Sequence, residues 1–507
     1  MNHSSNFPVA ALLTLLLVSA GCMVGPNYKR PAAAAPPAFK EQPPATFKEA
    51  DAAGWKQSQP GDAYSKGRWW ELYNDAALNE LEEQVGVSNQ NILQAEAQYR
   101  QAKAAVSVAR AALLPTAATT PAATFGGSGN GADTGSSLGA SGSRKLFSLP
   151  FNVAWEPDLW GNIRRGVTAS TATAQSLAAN VGNARLLYQA ELAQDYFSLH
   201  GNDGEAELLT RTEASYEEYL TLTRNRFSAG VASELDIAQA ETQLYGVQGQ
   251  LMDLGVQRAA FEHAIAILIG KAPAALTIPP VALNASPPPV PLGVPSELLE
   301  RRPDIAGAER QVAAANEQIG IAMAAFYPNL SLTGSAGVES SSLAKWFTWP
   351  SRFWSVGPQL AETLFDAGRR RGVVAAQQAA YDATVAAYRE TVLAAMQQVE
   401  DNLAALRILA GESDKVRQTM QAAQSALDIS TAQYKSGTGS YLPVITSQVT
   451  LLSAGVTAVT LQTRRLTASV LLIEGLGGGW NSSQLPTKQN VVAPEKQAGG
   501  GKSDKGN

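Results

Sequence analysis

The side chains best suited to hold a metal, move a proton or attack a substrate are scarce in this chain. Its 507 residues include one cysteine, Cys22, and three histidines, His3, His200 and His263. No Cys/His set with zinc spacing can be written from that inventory, and no disulfide can close within one chain. Ser, Asp and Glu are plentiful, yet no nucleophile elbow, phosphate loop or histidine-paired nucleophile is present. The sequence points away from an enzyme: it assigns no catalytic residue, no metal ligand and no soluble cofactor. A formal charge of −5 with 16 % charged residues likewise gives no reason to expect a nucleic-acid partner.

The chemistry that remains is that of Cys22. Ala10 to Ala20, AALLTLLLVSA, is an apolar run too short to span a bilayer as a helix, and it suits an export signal. Gly21-Cys22 follows at once and resembles a bacterial lipobox. There the cysteine receives diacylglycerol, residues 1–21 are removed, and the new amino terminus is acylated with a palmitate-type chain. Each buried methylene contributes about 0.8 kcal/mol, so several chains anchor firmly. Ser19 and the absence of Lys or Arg among the first eight residues depart from the usual pattern. The alternative is a buried cysteine behind an ordinary secretory signal. Met23, not an acid, follows Cys22, which by analogy favours the outer membrane.

The rest of the chain has to position this anchor, and it does so with a pattern written twice. After a Pro- and Ala-rich tether (22–60), a first repeat (61–278) and a second (296–479) flank a connector, 279–295, that holds seven prolines. Those prolines fix φ and remove donors, so the connector reads as extended. Each repeat opens with a helix stopped by proline: Ala76–Leu114 before Pro115, and Pro303–Tyr327 before Pro328. Asn91, Ile92 and Glu96 recur as Asp304, Ile305 and Glu309, at the 213-residue offset that separates the two prolines. Strands are expected at about 115–127, 146–158, 328–338 and 351–364. Phe151, Val153 and Trp155 share one face, as do Leu330 and Leu332. A Gly- and Ser-rich loop lies within the first strand pair and SSSLAKWFTWPS within the second. Proline-free helices follow, from about 162 to 227 and from about 367 to 434. Gly182, Gly201, Gly204 and Gly411 argue for breaks in them. A polar, disordered tail (480–507) closes the chain.

Each long helix ends in the same corner: RFSAGVASELDIAQ from Arg226, and QYKSGTGSYLPVIT from Gln433. Gly230 and Gly437, Ser233 and Ser440, Leu235 and Leu442 are all 207 residues apart. The glycines supply the φ > 0 residue that ends a helix, and the serines a cap for the next. In the second returning helix Leu442, Ile445, Val449, Leu452, Val456, Val459, Thr463, Leu466, Val470 and Ile473 step by three and four, a coiled-coil seam. Shifted by 207, the seam falls on Leu235, Ala238, Thr242, Tyr245, Gly249, Met252, Val256, Ala259, His263 and Ala266. His263 therefore reads as a packing residue.

Four strands cannot close a barrel, and neither water nor lipid tolerates long open edges. Trp155, Trp160, Trp346, Trp349, Phe353 and Trp354 cluster near strand ends, as membrane-interface girdles do. If the strands span a membrane, several chains must pool them. Arg164-Arg165 and Arg369 to Arg371, at the strand-to-helix junctions, either snorkel to headgroups or stand as solvated charges.

GCMVGPNYKRP, RRPDIAGAE and the two corners together resemble the TolC-like outer-membrane factors, in particular the NodT-type efflux lipoproteins. The resemblance runs from the leader to about Gly479. It implies a mainly α fold with a small transmembrane β portion, in duplicated helix–strand–strand–helix–hairpin halves. Three copies would form a 12-stranded outer-membrane barrel above a long α-helical periplasmic tunnel. It also implies a homotrimer that conducts substrates passively, docked to a periplasmic adaptor and an inner-membrane pump of the RND type and seated in outer-membrane lipids. The adaptor-docking and gating tips carry over to Gly230, Val231, Ala232 and Ser233, and to Gly437, Thr438, Gly439 and Ser440. Several members carry aspartates after the second corner that ring a constriction. Here Pro443 and Thr446 stand there, leaving Glu234 and Asp236 of the first corner as the candidate constriction acids. Asp236 reads equally as a first-turn acid favouring its helix. Two alternatives stay open: a duct for type I protein secretion, and a non-conducting periplasmic coiled-coil lipoprotein.

Overall fold

The computed structural model describes residues 23–33, 36–41, 67–126, 144–288 and 298–492. The leader, Cys22, most of the first glycine-rich loop and part of the connector lie outside the described residues. Asp75 accepts hydrogen bonds from the Ala77 and Leu78 amides and starts α1, Ala76–Ser88. The single helix expected to Leu114 is in fact two. Asn89 takes an extended ψ of 122° and its side chain accepts from Asn91 N and Ile92 N, starting α2, Gln90–Ala111. An internal Asn that satisfies two orphan amides makes a new N-cap cheaper than continuing the helix.

The long helices are α3, Asn162–Ser228, and α6, Arg369–Ser436, with 67 and 68 residues. Each is about 100 Å long. The expected glycine breaks do not occur. Gly201 stays helical because it is a contact: a Cβ there would lie 2.3 Å from Thr463 Oγ1, and one on Gly182 2.8 Å from Trp480 Nε1. Returning helices α4, Glu234–Leu268, and α7, Leu442–Gly475, pair with α3 and α6; α5 spans Pro303–Ala324. α7 is apolar and long enough to cross a bilayer, but here it packs along α6 and α3.

The helices form a row four wide. In the upper half the order is α2, α3, α5, α6; in the lower half it is α4, α3, α7, α6. α2 therefore stacks on the end of α4, and α5 on the end of α7. Asn89 Nδ2 donates to Leu268 O at 2.8 Å, and Ser88 Oγ to Ile269 O at 2.6 Å. Arg302, at the position 213 residues later, makes the second splice. Its Nη1 donates to Gly475 O and to Gln398, both at 2.8 Å, while Asp304 grips Nε and Nη2 at 3.0 and 2.8 Å. Two helix ends with unpaired carbonyls are thereby satisfied by the residue at the start of the next helix; Asn89 also caps that helix with its side chain, whereas Arg302 does not. Around these splices lies the main core, with Trp69, Phe197, Ile305, Val399 and Leu466 among its fully buried members. A second core sits near the tips.

Where it is described, at residues 23–33 and 36–41, the amino-terminal tether lies along the helices as a strap. Val24 N donates to Trp160 O, and Gly25, at φ +106°, lies against Gly320, whose Cα would be 2.6 Å from a Cβ. Tyr28 donates to Glu309, Arg389 Nε donates to Ala32 O, and the Lys40 and Glu41 amides donate to Glu400. Glu41 pairs with Arg407 at 2.7 Å. The chain beyond Trp480 is also ordered as far as Val492, contrary to a disordered tail from 480. A short helix α8, Lys488–Val492, buries Val491 against Ala102, Val106 and Ala174, and Gln175 Nε2 holds Pro486 O. Val492 packs against the same cluster, so the short helix is held by both α2 and α3.

The splices yield a test. Arg302→Met strips the α7 end and strands Asp304, and should lower unfolding stability in detergent by about 2 kcal/mol. Asn89→Ala should cost about 1 kcal/mol. Unchanged denaturation midpoints for both would contradict the splice reading.

Candidate functional site: a membrane-spanning sheet and two hairpin tips

The strands are β1, Thr116–Thr119; β2, Ala122–Gly126; β3, Arg144–Trp155; β4, Asn329–Ser340; and β5, Arg352–Ala361. β1 and β2 are one interrupted strand, paired with β3; the order continues β3, β4, β5, antiparallel throughout. Thr120-Pro121 makes the interruption opposite Pro150, so the proline that lacks an amide faces a gap in its neighbour. On its other side Pro150 pairs with Gly337, where a Cβ would lie 2.3 Å from Leu149 O.

The register sorts the side chains. Cross-strand partners share a face. One face carries Phe151, Val153 and Trp155 of β3, Leu330, Leu332 and Val338 of β4, and Trp354, Val356 and Leu360 of β5. The other carries Asn152, Ser331, Thr333, Ser335, Ser355 and Gln359. Apolar outside and polar inside, over strands of 10 to 12 residues, is the signature of a sheet that crosses a bilayer around an aqueous bore. Trp155 and Trp160 mark one end and Trp346, Trp349 and Trp354 the other. Phe353 is the exception among the expected girdle residues: paired with Gly337, it lies on the polar face.

At the sheet-to-helix junctions two glycines 207 residues apart, Gly161 and Gly368, sit at φ 83° and 86° and precede α3 and α6. Asp158 accepts from the Arg164 amide and side chain; Asp366 does the same for Arg370. A carboxylate at each helix start suits the helix dipole. Arg165 is fully buried, paired with Glu317 at 2.7 Å and donating to Val24 O. Arg164, Arg165 and Arg370 thus neither snorkel nor stand solvated, because local carboxylates claim them first. Arg369 and Arg371 are exposed.

At the far end, Gly230 takes φ +71° and Gly437 φ +76°, each closing its long helix. Val231 N reaches Arg226 O, and Thr438 N reaches Gln433 O. Ser233 caps α4: its Oγ accepts from Asp236 N, and Asp236 Oδ2 accepts from Ser233 N at 2.9 Å. Ser440 does not cap α7. The N-cap is Tyr441, without a side-chain bond. The reason is Pro443, which occupies the position of Asp236 and has neither an amide to donate nor a carboxylate to return. Val231 and Glu234 are exposed, and Asp236 is tied up in its capping box.

Residues that the sequence reading passed over join the two tips. Tyr434 and Tyr441 lie 5.2 Å apart between ring centres, Arg226 stands 4.5 Å over the Tyr434 ring, and Tyr219 OH meets Thr431 Oγ1 at 2.9 Å. Burial pushes the Tyr216 hydroxyl up to about 12, and burial with its tyrosine neighbours raises Tyr441 further. The seven-residue spacing of Tyr434 and Tyr441 across the corner was the available signal.

The seam expected on α7 is buried or half-buried except at Leu442 and Val449. Its counterpart on α4 is not. Leu235, Tyr245, Met252, Val256 and His263 are all exposed, Met252 by 77 %. α7 packs along two long helices, α6 and α3, whereas among the described residues the long helix alongside α4 is α3, which takes the opposite face: Ala240, Leu244, Val247, Leu254 and Ile265. His263 is therefore no intrachain packing residue.

A sheet with one lipid-type face standing on helices about 100 Å tall defines part of the wall of a membrane-anchored duct. A family model described as outer membrane efflux protein matches residues 81–271 and 294–478, leaving out the connector between the halves. The outer membrane protein OprJ of Pseudomonas aeruginosa is 32% identical over 490 residues, covering 94% of this chain and 97% of its own. The probable efflux pump outer membrane protein TtgC of Pseudomonas putida is 29% identical over 493 residues, 96% of this chain and 99% of that one. The solved outer-membrane channel OprN superposes at TM-score 0.81 with 28% identity, over 90% of this chain and 100% of its own. This chain belongs to the outer membrane efflux protein family and is an outer-membrane efflux channel protein.

The tips differ in a testable way. Ser233→Ala should cost about 1 kcal/mol of local stability and speed amide exchange over residues 234–240, whereas Ser440→Ala should leave exchange at the second tip unchanged. Equal effects would refute the asymmetry.

Proposed function

We propose that three copies of this chain close head to tail into a passive efflux duct. The observation that carries the proposal is that both layers end in the same unsatisfied flanks. The sheet has open edges at β1/β2 and at β5. The helical row is open at α2/α4 and at α6. In each layer a first-half flank would meet a second-half flank of the next copy, a heterologous contact that forms a ring when its rotation closes. The apolar stripe of α4 opposite α3, with Tyr245, Met252 and Val256, would pack on the exposed side of α6, which offers Leu393, Ile408 and Ile429. Four hydrogen-bonded strand positions per copy give a 12-stranded barrel in a trimer.

The lipid on Cys22 fits the strap. Met23, the residue after it, packs on Gly161 at the sheet-to-helix junction, where a Cβ would meet Met23 Cγ at 2.7 Å. The tips, at the far end from the sheet, are the docking and gating end for a periplasmic adaptor and an inner-membrane pump of the RND type, and the chain itself performs no catalytic step. Relatives named as antibiotic and toluene efflux pump components favour small-molecule cargo over secreted protein.

Single-channel recording tests this reading. The purified chain should conduct in a planar bilayer, and Met252→Glu should abolish both the detergent-resistant oligomer and conduction, by placing a charge in an apolar contact. Gly437→Pro should stop export in a susceptibility assay while the oligomer persists, since proline cannot adopt φ +76°. Cys22→Ser should lose incorporation of radiolabelled palmitate. Silence of the unaltered protein in the bilayer would favour a non-conducting scaffold.

A further inference from the structure

The segment GLGGGW, Gly475 to Trp480, ends α7 in a loop that a duct wall by itself does not require. Gly477, Gly478 and Gly479 lie at φ 95°, 55° and 86°, all in the left-handed region. Two of them are also close approaches. A Cβ on Gly477 would lie 2.1 Å from Arg301 O, and one on Gly478 2.3 Å from Leu186 Cδ1. Trp480 follows and packs on Gly182 of α3.

This loop forms one side of a cavity of about 690 Å³, and α1 and α3 form the others. That is the size of sites that hold small molecules. No described residue of its lining comes from α2, α4 or α6, the flanks that ring closure would cover. Two of the lining side chains are buried without a hydrogen-bond partner. Glu82 is fully buried with both carboxyl oxygens unpaired, and Trp70, 4% exposed, has an unpaired indole N–H. Buried polar groups are costly to leave unpaired, and two in one cavity wall mark a place that a ligand would complete.

The chemistry of the lining selects the ligand. Charges near the mouth are already matched, Glu83 by Arg68 and Arg185 by Glu96. Burial holds the Glu82 carboxyl well above the usual carboxylate range, which favours the neutral acid, with one donor and one acceptor. Trp70 adds a donor, and Gln189 and Gln484 add amides that do both. A hydroxyl group donates and accepts in the same way, and a sugar ring also offers an apolar C–H face to an indole.

We propose that this cavity binds a neutral saccharide at the level of the helix splices. Glu82 and Trp70 bond its hydroxyls, and Trp480 lies against a ring face. The site is separate from the tips and from the bore, so its test needs no conduction.

Isothermal titration of the full-length protein supplies that test, in a detergent whose headgroup carries no sugar. The probes are maltotriose, cellotriose and chitotriose. At least one should bind once per chain and change the tryptophan fluorescence. Glu82→Leu and, separately, Trp480→Ala should each weaken that binding about tenfold with the oligomer unchanged. Glu82→Gln keeps a donor and an acceptor and should stay within about threefold of the parent. Retention on amylose, cellulose or chitin resin would mark the end of a glycan polymer as the ligand, and binding of the free sugar alone a diffusible one. Silence with all three probes, or binding that both Glu82→Leu and Trp480→Ala leave intact, would overturn the site. So would tighter binding of benzyltrimethylammonium that Glu82→Gln abolishes, since the cavity would then be a cation site.

Discussion

Hydrocarbon offers no hydrogen bonds, and that single fact governs this molecule. A sheet whose apolar face carries Phe151, Trp155, Leu332 and Val356 belongs in lipid, yet β1/β2 and β5 leave their outer amides and carbonyls unpaired in one chain. An edge that cannot be left open must be paired, and among the described residues nothing pairs it. The helical row below repeats the problem in apolar form, with the outer stripe of α4 unburied beside an under-packed α6. Both deficits lie on the same flanks, so one closure satisfies both.

The duplicated halves explain how a chain builds such a wall without a central core along its length. Each half supplies a long helix, α3 or α6, and a column made of two shorter helices spliced end to end. The splices are chemically different though positionally equivalent. Asn89 donates one amide bond; Arg302 uses a guanidinium held by Asp304 and reaches two partners. The tips diverge in the same manner, with a reciprocal Ser233–Asp236 cap in one and Pro443 in the other. Duplication sets the frame, and single substitutions make one hairpin firmly capped and the other looser.

Much of this was legible in the residues. Proline stops, the 213- and 207-residue offsets, the positive-φ glycines and the face shared by Phe151, Val153 and Trp155 all stand as read. The misreadings have physical causes. Propensity makes glycine a breaker in α3, yet Gly201 is a close contact with α7, because propensity ignores tertiary neighbours. A 207-residue offset carries the α7 seam onto α4, but among the described residues α4 runs along one long helix where α7 runs along two, so the shifted stripe is exposed. Analogy with Ser233 makes Ser440 a cap, but Pro443 in its box position has no amide to donate. The strap was invisible to periodicity, since its contacts run from Tyr28 to Glu309 and from Glu41 to Arg407.

Native mass spectrometry of the detergent-solubilised protein tests ring closure most directly. The account requires a charge-state series at three times the mature chain mass, with single chains appearing only on unfolding. A stable monomer, or a two-fold dimer that pairs like flank with like, would contradict it.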